Sequence, residues 1–143
     1  MINNIELFNV AVAEVFGRCY KSFPIPINVE VIELSHLIQE TIDSECELEN
    51  NVRSHEYEIS RATVNWLIDA DYLWSRNATN NSFNGLVLTP KGLEVLNSIP
   101  SGLENKTTLG EKLGEGAKEI GKDATLDIVK STLAYGAALV FGA

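Results

Sequence analysis

Few residues in this chain have the type and spacing to do chemistry. Gly116 to Lys122 reads GAKEIGK, the G-x-x-x-x-G-K spacing with which a phosphate-binding loop cradles a nucleotide. Asp123 follows, where such a loop needs a Ser or Thr hydroxyl for magnesium, and no strand pattern precedes the glycines, so the match reads as accidental. Cys19 and Cys46 show no C-x-x-C spacing, and neither has a histidine placed to activate it. His36 and His55 stand outside any motif that would supply a nucleophile, a metal partner or an orienting acid. Asp43 to Glu49 reads DSECELE, but a calcium loop needs a central glycine that is missing here. The expectation is a non-enzymatic protein with no catalytic, cofactor-binding or metal-binding residues.

The charge distribution narrows the class of partner. The chain of 143 residues carries a net charge of -9. Met1 to Ser60 holds three basic side chains against eleven acidic ones, whereas Arg61 to Pro100 is balanced at three against three. An acidic N-terminal part repels phosphate backbones, so nucleic acid is disfavoured as a partner. The N-terminus lacks a basic region and Glu6 and Glu14 interrupt its apolar positions, which argues against a signal peptide. With two unpatterned cysteines, the expected setting is the reducing cytoplasm.

The elements that must position any binding face follow from periodicity. Asn3 or Asn4 caps a first helix whose Ile5, Phe8, Val12, Val15, Phe16 and Cys19 recur at steps of three and four, giving a core-facing stripe. Phe23-Pro24-Ile25-Pro26-Ile27 cannot be helical and reads as a short edge strand or extended connector. Asn28 is a candidate cap for a second helix with Val31, Leu34, Leu37, Ile38 and Ile42 inward. Ser60 is a candidate cap for a third, with Val64, Leu67 and Ile68 inward. Its opposite arc holds Arg61, Asn65, Trp66 and Asp69. Trp66 suits either an interface or packing against the first helix. Tyr72-Leu73-Trp74 begins a strand, Arg76 to Asn84 is a polar, turn-prone tip, and Phe83 to Leu88 returns. Thr89-Pro90 starts a further helix, because Pro at the first helical position gives up an N–H that has no helical partner.

The run TVNWLIDADYLWSR, then FNGLVLTPKGLEVLNSIP, resembles the recognition helix, wing and closing helix of bacterial winged helix-turn-helix proteins. The resemblance spans about Ile5 to Pro100 and implies a mainly α (α+β) fold: a winged-helix core with a two-stranded wing. In such a fold Arg61, Asn65, Trp66, Asp69, Arg76 and Lys91 are the candidates to touch a protein partner or DNA. Fold alone assigns neither.

Residues 101–143 read as a C-terminal helical extension to a 1–100 winged-helix domain. Thr108 and Glu111 have capping-box spacing. Gly110, Gly114, Ala117 and Gly121 recur at steps of four, three and four, a stripe suited to close approach of another helix. From Thr125 a last helix lines up Leu126, Val129, Leu133, Ala137 and Val140, and no charge follows Lys130. That uncharged end is shorter than the ~20 apolar residues a membrane span needs, and its lysines are balanced by acids, so a membrane is not the expected partner. Gly110, Gly114, Gly121, Leu126, Val129, Leu133 and Val140 are candidate oligomerisation residues. The function expected is an intracellular winged-helix protein acting through protein contacts and through self-association as a dimer or higher oligomer. The alternative is a dimeric DNA-binding regulator whose Arg61, Asn65, Arg76 and Lys91 touch the duplex.

Overall fold

A computed structural model of the chain describes residues 4–42, 55–98, 107–115 and 120–141. The order is α1 (Asn4–Ser22), β1 (Ile27–Glu30), α2 (Val31–Ile42), α3 (His55–Asp69), β2 (Leu73–Trp74), β3 (Asn77–Ala78), β4 (Ser82–Leu88), α4 (Pro90–Leu96), α5 (Leu109–Gly114) and α6 (Lys122–Phe141). The fold is mainly helical, with a small antiparallel sheet in which β4 lies between β1 and β2 and also pairs with β3. Leu73 faces Leu88, and Ile27 faces Leu86.

The centre of the molecule is α1. Val12, Val15, Phe16 and Cys19 are buried as their spacing predicts, but so are Leu7, Val10, Ala11 and Ala13. A one-sided stripe underestimates this helix because α2 and α3 cover one side of it and α5 and α6 cover others. Ile5 is the correction in the opposite sense: it is 64% exposed at the open end of the helix.

Two helix starts are also corrected. Asn28 does not cap α2; it lies in β1 and its Oδ1 accepts from the Gly85 N–H at 3.0 Å. Ser60 does not cap α3, which begins five residues earlier at His55. Ser60 is buried in the middle of the helix and donates to the Glu56 carbonyl at 2.8 Å. Glu56 and Glu58 in the first turn complement the positive end of the helix dipole. Phe23 to Pro26 turns, and the strand begins only at Ile27. The acidic run 43–49 lies outside the described residues.

Local capping chemistry predicts two further starts correctly, whereas α6 begins at Lys122, three residues before Thr125. The Thr89 hydroxyl accepts from the Gly92 N–H at 3.0 Å and donates to the Asp71 carbonyl at 2.6 Å, with Pro90 at the first helical position. At α5, the Thr108 hydroxyl accepts from the Glu111 N–H at 3.1 Å and the Glu111 carboxylate accepts from the Thr108 N–H at 3.2 Å.

The C-terminal helices share the core of the rest. Leu109, Leu113 and Val129 belong to the same buried cluster as Phe16, Leu67 and Leu96, so residue 100 does not separate two cores. The glycine stripe is the means of approach, within one chain. A Cβ at Gly110 would overlap the Tyr20 ring, and one at Gly114 would press on the Lys21 side chain. Gly121, directly before α6, has φ +97° with open space around it, a backbone conformation that glycine adopts freely. The buried line of α6 is Thr125, Val129, Thr132 and Gly136. Leu126 and Leu133 are half-buried beside it, and the Val140 side chain lies outside the described residues.

Helix propensity and packing oppose each other at two of these glycines. Alanine in a helix interior is favoured over glycine by ~1 kcal/mol. At Gly110 the new methyl meets Tyr20, and at Gly136 it meets the Tyr72 hydroxyl. Gly110→Ala and Gly136→Ala are each expected to destabilise the fold by about 1–3 kcal/mol in urea unfolding. A gain in stability at either position would show that these close approaches are not made.

Candidate functional site

The candidate surface is the outer side of α3. Tyr57, Ser60, Thr63, Val64 and Leu67 are buried, which turns Glu58, Ala62, Asn65, Trp66 and Asp69 to solvent. Arg61 lies on the same side and forms an ion pair with Glu58 at 2.7 Å, one helical turn away. An exposed pair of this kind adds at most about 1 kcal/mol to stability. Trp66 meets the packing expectation. It packs edge-on against Phe8 of α1 at 5.4 Å between ring centroids and stacks on Tyr72 at 6.4 Å, yet remains 47% exposed.

The structure does not bring the six candidate residues together. Arg61, Asn65, Trp66 and Asp69 share α3. Arg76 is exposed at the start of the hairpin excursion, where Gly85, at φ +67°, leaves room for its Cβ. Lys91 sits at the other end of the surface with a different task. Its ammonium donates to the Ala70 carbonyl at 2.8 Å, just past the C-terminus of α3, and lies 4.3 Å above the Tyr72 ring. That position suits the negative end of the α3 dipole.

The hairpin tip is held down. The Tyr57 hydroxyl lies 2.9 Å from Asn81 Oδ1 and 3.1 Å from the Asn80 carbonyl. The Val31 N–H donates to the Asn81 carbonyl at 2.9 Å. Thr79 Oγ1 accepts from the N–H groups of Asn81 and Ser82 at 3.2 and 3.1 Å, closing the turn. Tyr57 is the residue that sequence reasoning missed. Its partner lies 24 positions away, and no short-range pattern announces it.

Elsewhere, the groups with chemical potential have structural surroundings. Burial pushes the Cys19 thiol up to about 12, against a smaller opposing pull from Arg18. His55 Nε2 lies 2.6 Å from Asn4 Oδ1, tying the starts of α1 and α3 together. Among the described residues no group of three or more His, Cys, Asp or Glu side chains converges to hold a metal. A cavity of about 40 Å³ between α1 and α6 is lined by Glu6, Asn9, Val10, Asp123, Thr125 and Leu126, a volume for a few waters rather than a substrate. Residues 116–119 of the GAKEIGK run lie outside the described residues.

No helix among the described residues is long and apolar enough to cross a membrane. No protein-family model, curated protein or solved structure matches the chain.

The thiol gives a signed pH dependence. An unfolded thiol ionises near 9.0, while the buried Cys19 holds its proton to about 12. The native state is the tighter proton binder, so the stability present below pH 9 is lost as pH rises from 9 toward 12. The urea midpoint should fall across that range and fall less steeply in Cys19→Ala. With Cys46→Ser as background, an aromatic disulfide reagent at pH 8 should reach Cys19 only upon unfolding. Rapid labelling of the native protein would contradict its burial.

Proposed function

We propose that this chain is a winged-helix module that works through protein contacts rather than catalysis, and that self-associates. The order α1-β1-α2-α3-β2-β3-β4-α4, with β4 paired between β1 and β2, supports the winged-helix reading, in which α3 would be the recognition helix and the hairpin the wing. The observation that carries the functional part is the use of the cations. Arg61 lies against Glu58, Lys91 donates to the Ala70 carbonyl, and the hairpin tip is bound to Tyr57, which leaves Arg76 as the one exposed cation among the candidates. A DNA reader keeps such groups for phosphates and base edges. What this face offers instead is a half-exposed tryptophan between Asn65 and Asp69, the chemistry of a protein interface.

Self-association belongs to the outer side of α6. Gly110 and Val129 are buried within the chain, which removes them from a contact between copies. Ser131, Ala134, Tyr135 and Ala138 are exposed on one side of α6, and no charge follows Lys130. In a chain of net charge -9, an uncharged face lets two copies meet without like-charge repulsion. The reduced buried Cys19 is consistent with a cytoplasmic setting.

Two measurements test the proposal. Fluorescence anisotropy of a labelled random-sequence duplex should stay flat with the full-length chain at low salt. A rise that weakens with added salt would favour a DNA-binding regulator. Light scattering should give the mass of a dimer or larger, reduced by Tyr135→Glu combined with Ala138→Glu. An unchanged mass in that variant would rule out the outer face of α6 as the contact. Deleting α6 is the poorer experiment, because Val129 and Gly136 leave the core with it.

A further inference from the structure

The ground between α1 and α3 has the chemistry to select a partner. Ile5 and Phe8 stand one helical turn apart on α1 and so lie side by side. Phe8 meets the edge of Trp66 across the helix interface. The result is a short apolar strip formed by two helices, with Ile5 64% and Trp66 47% exposed at its ends. Single exposed apolar residues are ordinary on a protein surface, but a tryptophan and an isoleucine joined through a phenylalanine form a patch.

The rim of this strip is acidic. Asp69 is exposed one turn beyond Trp66, and Asp71 is exposed two residues past the end of α3. The nearby cations have other work: Arg61 pairs with Glu58, and Lys91 serves the end of α3. A second copy of the chain would bring the same acids against these, and a nucleic acid or an anionic bilayer would bring phosphates. The complementary occupant is positively charged around an apolar face.

We infer that the Ile5–Phe8–Trp66 strip seats a basic amphipathic helix of a partner protein. The inference rests on the protein-contact reading above. Apolar side chains at i, i+3 and i+7 of such a helix match a strip of this length, and its flanking Lys or Arg side chains reach Asp69 and Asp71. Trp66 supplies the anchor, stacked from below by Tyr72 so that little side-chain freedom is lost on binding.

The test uses the full chain carrying Trp74→Phe, which leaves Trp66 as the single tryptophan. The probe is a synthetic leucine/lysine amphipathic helix, with a leucine/glutamate helix of equal length as comparison. The leucine/lysine peptide should shift Trp66 emission to the blue and saturate at roughly micromolar concentration. Ile5→Ser should weaken it about tenfold and Asp69→Lys about tenfold, while Glu40→Lys, an exposed acid on α2, should leave it unchanged. Three results overturn the inference: no shift with the leucine/lysine peptide, an equal response to the leucine/glutamate peptide, or an equal loss from Glu40→Lys and Asp69→Lys. Duplex DNA added to the same sample distinguishes the two levels. A salt-sensitive Trp66 response to DNA would defeat the protein-contact reading itself, whereas failure of the peptide alone defeats only the choice of partner.

Discussion

Tyr72 is held from every direction. Its N–H donates to the Leu67 carbonyl at 2.9 Å, and its carbonyl accepts from the Thr89 N–H at 3.0 Å, which fixes the backbone between α3 and α4. Gly92 packs directly on that carbonyl, where a Cβ would overlap it. The ring meets Phe16 of α1 at 5.5 Å, Trp66 of α3 at 6.4 Å, and the Lys91 ammonium of α4 at 4.3 Å. The hydroxyl lies against Gly136 of α6. Loss of solvent around the ring raises the phenol above its ordinary value. One side chain therefore touches four helices, and their mutual positions depend on it. Aromatic contacts of this geometry are worth about 0.5–1.5 kcal/mol each beyond the area they bury.

The surface chemistry follows from this packing. Trp66 is presented to solvent because Tyr72 and Phe8 fill the space beneath it. Lys91 is withdrawn from solvent contact with a partner because Tyr72 and Ala70 hold it. A second tie acts in the same way at the far end of α1. The Tyr20 hydroxyl donates to Asn97 Oδ1 at 2.8 Å and lies 3.2 Å from Thr108 Oγ1, joining α1 to the end of α4 and the start of α5. Two tyrosines thus tie the C-terminal helices to the α1–α4 part of the chain.

The parts legible in the sequence were those specified by neighbouring residues. Thr89-Pro90 and Thr108 with Glu111 signal helix starts within four positions, and the hairpin's polar tip is compositional. Burial from several sides was not legible. A periodic stripe marks one face of α1, whereas Ala11, Ala13 and Gly17 are buried because other helices arrive from distant sequence. In α6 the buried line runs through Thr125 and Thr132, which hydropathy does not rank as core. Thr132 satisfies its hydroxyl by donating to the Ile128 carbonyl at 2.7 Å and so enters the core at little cost. Within the candidate site, Asn65, Trp66 and Asp69 were legible as an outward arc. The pairing of Arg61, the withdrawal of Lys91 and the anchoring of the hairpin by Tyr57 depend on three-dimensional neighbours, and these decide what the face can bind.

The C-terminal helices α5 and α6 fold as part of one cooperative unit with α1 and α3 through Tyr72 and Tyr20, and not as an appended extension. Native-state amide hydrogen exchange tests it most directly. The slowest amides of α6, around Val129 to Leu133, should exchange with the same opening free energy as those of α3 around Val64 to Leu67. They should also respond to added urea with the same slope. Exchange of α6 faster by orders of magnitude, with a shallow urea dependence of its own, would contradict the account and restore a separate C-terminal extension.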